Sequence, residues 1–140
     1  MKFLLDTNIV SELRKPAERR TEQFNDWAGR LSPSDTSLSV ITVLELRSGI
    51  ESKRRHDPHQ AEVLDVWLEK SVLPGYSGRI LDIDQAVADA AARLHVPDRR
   101  PAHDALIAAT AKVHGLTLVT RNVADFEPMS VHLINPWTQP

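Results

Sequence analysis

Four acids sit against the apolar parts of this chain, and their placement is what could do chemistry. Asp6 ends the run Phe3-Leu4-Leu5, Glu45 follows the apolar segment around Ile41, Asp104 opens the helix-forming stretch Ala105 to Ala111, and Asp125 follows Leu116 to Val119 through the polar turn Thr120-Arg121-Asn122. Two ionised carboxylates about 4 Å apart repel by roughly 4 kcal/mol at an effective dielectric near 20, so converging acids require protons or a cation. A hard divalent ion is the simpler answer. Mg²⁺ and Mn²⁺ prefer carboxylate and water oxygens, and Mg²⁺ keeps several waters, leaving positions for a phosphate oxygen and an attacking water. The chemistry this would support is metal-assisted phosphodiester hydrolysis.

The acids must be brought together by the elements that carry them. Lys2 to Leu5, Thr36 to Ile41, Arg79 to Ile83, Leu116 to Val119 and Val131 to Ile134 read as strands. Between them lie helical patterns: Ile9 to Arg14, Glu18 to Leu31, a helix opened by Thr42 and running to Lys53-Arg54-Arg55, one marked by Val63, Leu64, Trp67 and Leu68 and ended by Pro74-Gly75, and one capped by Asp84. A last helix, apolar nearly all round and therefore buried, runs from Asp104 to a glycine stop at Gly115. Alternation of this kind predicts an α/β fold with a mainly parallel central sheet of about five strands flanked by helices. Ligands bind such sheets outside the carboxyl ends of the strands. Asp6, Glu45 and the Thr120 to Asp125 turn follow strands directly, whereas Asp104 joins them only if its helix starts near the same edge.

Composition bounds the reading. At 140 residues, with no internal repeat or linker, residues 1–140 are expected to form one domain. The absence of cysteine excludes disulfides and thiolate metal sites. The apolar start is too short for a signal sequence and no run is long enough to span a bilayer, so the expectation is a cytoplasmic protein without membrane contact. A net charge of −2 argues against a surface made mainly to grip nucleic acid, although the remainder of the chain is weakly basic once the four acids are set aside.

Each acid also has a local reading. Thr42-Val43-Leu44-Glu45 has capping-box spacing, Asp104 suits a first helical turn, Asp125 could cap a short helix near Phe126, and Thr7-Asn8 could simply shape a turn. Asp6 resists this treatment best. His103 could donate a proton beside Asp104 or face solvent, while His56 and His59 flank Pro58 in a polar segment and read as solvated. No nucleophile-elbow serine and no glycine-rich phosphate loop is present.

Taken together, LLDTNIVSEL, SVITVLELRSGI and HDALIAATAKVHGLTLVTRNVADF resemble the PIN-domain ribonucleases, specifically the VapC-type toxins of bacterial toxin-antitoxin pairs. The segment Gly78 to Leu81 and the closing Asn135-Pro136-Trp137 are most similar to the FitB-like branch. The resemblance implies a PIN-like three-layer sandwich, dependence on Mg²⁺ with Mn²⁺ as a possible substitute, and endonucleolytic cleavage of RNA leaving 5′-phosphate and 3′-hydroxyl ends. It also implies a small cognate antitoxin and a homodimer or larger toxin-antitoxin assembly. Asp6, Glu45 and Asp104 match the family's first three acids, with Asn8 and Thr120 in supporting positions. Many relatives carry aspartate where this chain has Asn122, so either Asn122 or Asp125 completes the set. Two other readings stand beside this one: a non-catalytic PIN-fold protein that regulates by binding antitoxin or RNA, and a DNA-directed flap-type nuclease.

Overall fold

A computed structural model describes residues 1–138, which form a five-stranded, wholly parallel sheet between two helical layers. In chain order the elements are β1 (Phe3–Leu5), α1 (Thr7–Arg14), α2 (Glu22–Gly29), β2 (Thr36–Ser39), α3 (Val40–Arg54), α4 (Pro58–Trp67), α5 (Leu73–Gly75), β3 (Ile80–Leu81), α6 (Gln85–Leu94), α7 (Ala102–His114), β4 (Thr117–Val119), α8 (Val123–Phe126) and β5 (Leu133–Ile134). A wider π-type turn at Leu68–Val72 joins α4 to α5. Among the described residues no helix is long and apolar enough to cross a membrane.

Strand order is β3-β2-β1-β4-β5. The chain therefore builds outward from β1 through β2 to β3, then crosses to the other side of β1 to lay down β4 and β5. The switch point lies between β1 and β4, where connections leave in opposite directions and open a crevice at the carboxyl edge. Period-two alternation distributes the strand residues between two cores. Leu5, Leu38 and Val119 pack with Ile9, Phe24, Trp27 and Ile50 on one face. Leu4 and Leu118 pack with Ile107, Ala108, Phe126 and Met129 on the other.

Local chemistry explains where elements start and stop. The second strand ends at Ser39 rather than Ile41, because the Ser39 hydroxyl accepts the Ile41 N–H at 3.0 Å and opens α3 two residues before Thr42. The expected capping box at Thr42 therefore does not form. Glu18 to Leu31 is not one helix either: Thr21 accepts the Phe24 N–H at 3.2 Å and restarts the chain as α2. Asp84 caps α6 as expected, accepting from Val87 N at 2.9 Å. The strands β3 and β5 shrink to two residues each because only those residues have register partners, Leu38 and Ser39 for β3, Leu118 and Val119 for β5.

α7 is largely buried from Ala105 to Ala111 and exposed at both ends, and its one hydroxyl, Thr110, is fully buried and donates to Leu106 O at 2.8 Å. Gly115, at φ +66°, reverses the chain straight into β4. A helix that feeds a parallel strand through so tight a turn ends at the strand's amino edge. It must begin at the carboxyl edge, about 20 Å away at 1.5 Å per residue. That places Asp104, in the first turn of α7, at the crevice end of the sheet.

Candidate active site

At the crevice a cleft of about 310 Å³ is lined by Asp6, Thr7, Asn8, Ser11, Glu45, Asp104 and Asn122. Asp6 and Thr120 are the residues immediately beyond the paired Leu5 and Val119, so the switch point itself puts them side by side. The Thr120 hydroxyl donates to Asp6 Oδ2 at 2.8 Å and accepts the Asn122 N–H at 3.0 Å. Thr7 N donates to Asp6 Oδ1 at 2.8 Å, and Asn8 Nδ2 reaches Oδ2 at 3.3 Å. Asp6 is thus also the N-cap of α1, a structural task that its position after a strand does not advertise. Only 5% of it is exposed. Burial raises its pKa, an effect the three donors oppose and the Glu45 charge reinforces.

Glu45 does not reach back to its own helix terminus. Thr7 Oγ1 donates to its Oε1 at 2.5 Å, and His103 Nδ1 lies 3.2 Å from its Oε2. Asp104 faces the same cleft and is pushed up to about 6, first by burial, then by the charges of Asp6, Asp125 and Glu45, with His103 acting in the opposite direction. A carboxyl perturbed by burial and by neighbouring carboxylates is characteristic of functional clefts. Asp125 is exposed, sits in the first turn of α8, and neither caps that helix nor lines the cleft; its influence on Asp104 is electrostatic. Asn122 does line the cleft, and its position before α8 makes it the residue that starts that helix. Asn8 bridges the two sides of the crevice, since its Oδ1 accepts the Arg121 N–H at 3.2 Å.

Two contributors, Thr7 and Ser11, are not among the residues the sequence assigns to the site, and a third, His103, takes a role other than proton donation. By sequence Thr7 reads as a turn residue, yet it holds Glu45 from 38 residues away. Ser11 lines the cleft one helical turn on, at i+4 from Thr7 on the same face of α1. His103, for which solvent and chemistry were both open, contacts Glu45. The DTN triplet was the available signal for Thr7. Nothing local marks Ser11.

The donor set lining the cleft is of the kind that divalent ions take. It consists of carboxylates, hydroxyls and the two amides of Asn8 and Asn122, all offering oxygen ligands of the hard kind. Among the described residues no three acids or histidines gather closely enough to form a ready-made cage. By donor chemistry the residues present fit a hard ion such as Mg²⁺ or Mn²⁺, with water completing its shell.

The raised Asp104 pKa has a consequence for stability. An unfolded aspartate titrates near 3.8 and this one near 6, so between those values the metal-free folded state binds the proton more tightly. The electrostatic penalty is complete above about pH 6 and is relieved as pH falls towards 3.8. Asp104→Asn is expected to raise the melting temperature of metal-free protein at neutral pH, with the gain shrinking as pH is lowered through this window. Parallel thermal melts of the two proteins check it; a constant difference across the window would show that Asp104 is not perturbed.

An all-parallel sheet with acids at its switch point defines a class, and the PIN domain family matches residues 3–127 of this chain. The chain belongs to the PIN domain family. It is 38% identical to Toxin FitB of Neisseria gonorrhoeae, over 96% of this chain and 98% of that protein. It is 35% identical to the VapC ribonuclease Y4jK of Sinorhizobium fredii, over 96% and 97% of the respective chains. The crystal structure of FitAcB from Neisseria gonorrhoeae superposes with a TM-score of 0.86 at 38% identity, covering 98% of this chain and 99% of that one.

Proposed function

We propose that residues 1–140 act as one PIN domain, a metal-dependent endoribonuclease that is the toxin of a toxin-antitoxin pair. The observation that carries this reading is the cleft at the sheet's switch point, where Asp6 is held buried beside Glu45 and Asp104. Support for the substrate and the partner comes from relatives named as toxin and ribonuclease, and from a neighbour solved as a toxin-antitoxin complex from Klebsiella pneumoniae. Asp6, Glu45 and Asp104 would hold Mg²⁺, with Mn²⁺ as a substitute. When bound, the ion supplies charge neutralisation at the phosphate and lowers the pKa of water. Asp6 anchors the site because its donors leave it one orientation. Burial first, and then the neighbouring carboxylates, raise the Asp104 pKa; the carboxylate part of that effect favours cation uptake, since a cation offsets the charge that would otherwise recruit a proton. Thr120 and Asn8 fix Asp6 from β4 and α1 respectively.

The direct test is digestion of structured RNA and of single-stranded or flapped DNA in parallel, with Mg²⁺ and with EDTA. RNA should be cut with 5′-phosphate ends, and EDTA should stop the reaction. Equal cutting in EDTA, or cutting of DNA alone, would overturn the reading. The proposed antitoxin should protect RNA by placing a basic segment in the acidic cleft.

The fourth position of the set divides between two side chains. Asn122 faces the cleft and Asp125 acts on it through charge. Asp125→Asn should weaken Mn²⁺ binding by a factor of about 2 to 5, the scale of a solvent-screened charge. Asn122→Asp should tighten it by adding a charge at the cleft wall. Calorimetric titration of both variants separates the roles; a larger loss for Asp125→Asn than for Asp104→Asn would make Asp125 a direct ligand.

A further inference from the structure

The three acids do not stand alone in the chain: each of two of them is followed or preceded by the residue that holds the third. Thr7 follows Asp6 and donates to Glu45 Oε1. His103 precedes Asp104 and approaches Glu45 Oε2 at 3.2 Å. We propose that His103 is a positioning residue for Glu45, its Nδ1–H and the Thr7 hydroxyl gripping one carboxylate oxygen each so that Glu45 keeps its orientation towards the cleft. The inference rests on the proposed function for its catalytic meaning, and on geometry alone for the contact itself.

The chemistry of the pair supports it. Glu45 enters from α3 on a side chain with three rotatable bonds, the longest of the three acids. Asp6 is fixed by burial and Asp104 by a short side chain at a helix start. A carboxylate offers about four lone-pair sites, so one donor on each oxygen leaves capacity on both for a cation or a water. A carboxylate acceptor selects the Nδ1–H form of a neutral imidazole and leaves Nε2 without the proton. The side chains of His103 and Glu45 are 47% and 29% exposed, so their contact adds little to folding stability. Its effect falls on the orientation of Glu45, as for outer partners of metal ligands in general.

Two measurements test this on the full chain. The first is ¹⁵N NMR of the His103 ring in metal-free protein at about pH 8, read for which ring nitrogen carries the proton. The Nδ1–H form should dominate and be lost in Glu45→Ala; an Nε2–H ring in the wild type overturns the inference whether or not the protein is a nuclease. The second is Mn²⁺ calorimetry with RNA cleavage kinetics. His103→Ala should weaken Mn²⁺ binding about tenfold and lower kcat with little change in KM for RNA, while His103→Asn, whose amide can replace Nδ1–H, should recover to within about threefold. His103→Gln, with its donor at the Nε2 distance, should not recover. Unchanged Mn²⁺ binding in His103→Ala overturns the positioning role. Failure of the wild type to bind Mn²⁺ or cut RNA would instead refute the proposed function, leaving the ring tautomer to decide the contact.

Discussion

Asp6→Asn is expected to abolish RNA cleavage while leaving a folded protein. Outer partners of metal ligands typically cost about 10–100-fold when removed, and loss of the ligand charge itself should exceed that range. The fold should survive because asparagine keeps the shape and Oδ1 can still accept the Thr7 N–H that starts α1. The Asn8 amide loses its acceptor, and the Thr120 hydroxyl must turn to accept from the new amide group instead of donating. Against those losses stands the removal of a carboxylate that burial already holds above its ordinary pKa. The two effects oppose each other, so metal-free Asp6→Asn should melt close to the wild type at neutral pH. Gel-resolved RNA cleavage and thermal melts on the same preparations read both quantities. Wild-type cleavage by this variant would remove Asp6 from the site, and an unfolded variant would mean that its capping role dominates.

The parts of this arrangement that could be read in the sequence are those governed by local rules. Asp6 follows an apolar strand, Asp84 precedes a helical stripe, and Gly115 follows one; each signal lies within a few residues of its effect. The parallel sheet follows from the alternation of elements, and with it the edge at which ligands gather. Glu45 shows where this reasoning stops. Its spacing from Thr42 is that of a capping box, but Ser39 had already capped the helix, and the true partners of Glu45 lie 38 and 58 residues away. Competition between two adjacent cap candidates is decided by where the strand must end, which is set by pairing with β1 and β3. Asp104 is hard to place from sequence for a different reason. Its place depends on the direction of α7, and the direction follows only once β4 is known to run parallel to β1 through the tight turn at Gly115. The fourth acid remained divided because Asn122 and Asp125 are three residues apart in a short helical turn. Spacing could not tell which one faces the cleft.

Thr120→Val should be the most damaging change that touches no acid. Valine matches threonine in shape, so the substitution removes the hydroxyl and little else at a site with no exposed surface. Two bonds go with it: the one donated to Asp6 Oδ2 at 2.8 Å and the one accepted from Asn122 N at 3.0 Å. Asp6 Oδ2 then retains only the longer contact to Asn8, and a buried, undersatisfied group costs roughly 1–3 kcal/mol. The Asp6 pKa, already raised, moves further up because the donor that most opposed burial is gone. A raised folded-state pKa means that the penalty is complete at high pH and relieved as pH falls through it, so the stability gap between wild type and variant should be widest at neutral pH and narrow in acid. Freed from β4, Asp6 also loses the orientation it presents to the cleft, and Mn²⁺ affinity and cleavage should both fall about 10–100-fold. Thr120→Ser keeps the hydroxyl and should retain most of both activities, which separates the bond from the packing. If Thr120→Val melts and cleaves like the wild type, the switch-point contact between β1 and β4 is not what fixes Asp6, and α1 alone must orient it through Thr7 and Asn8.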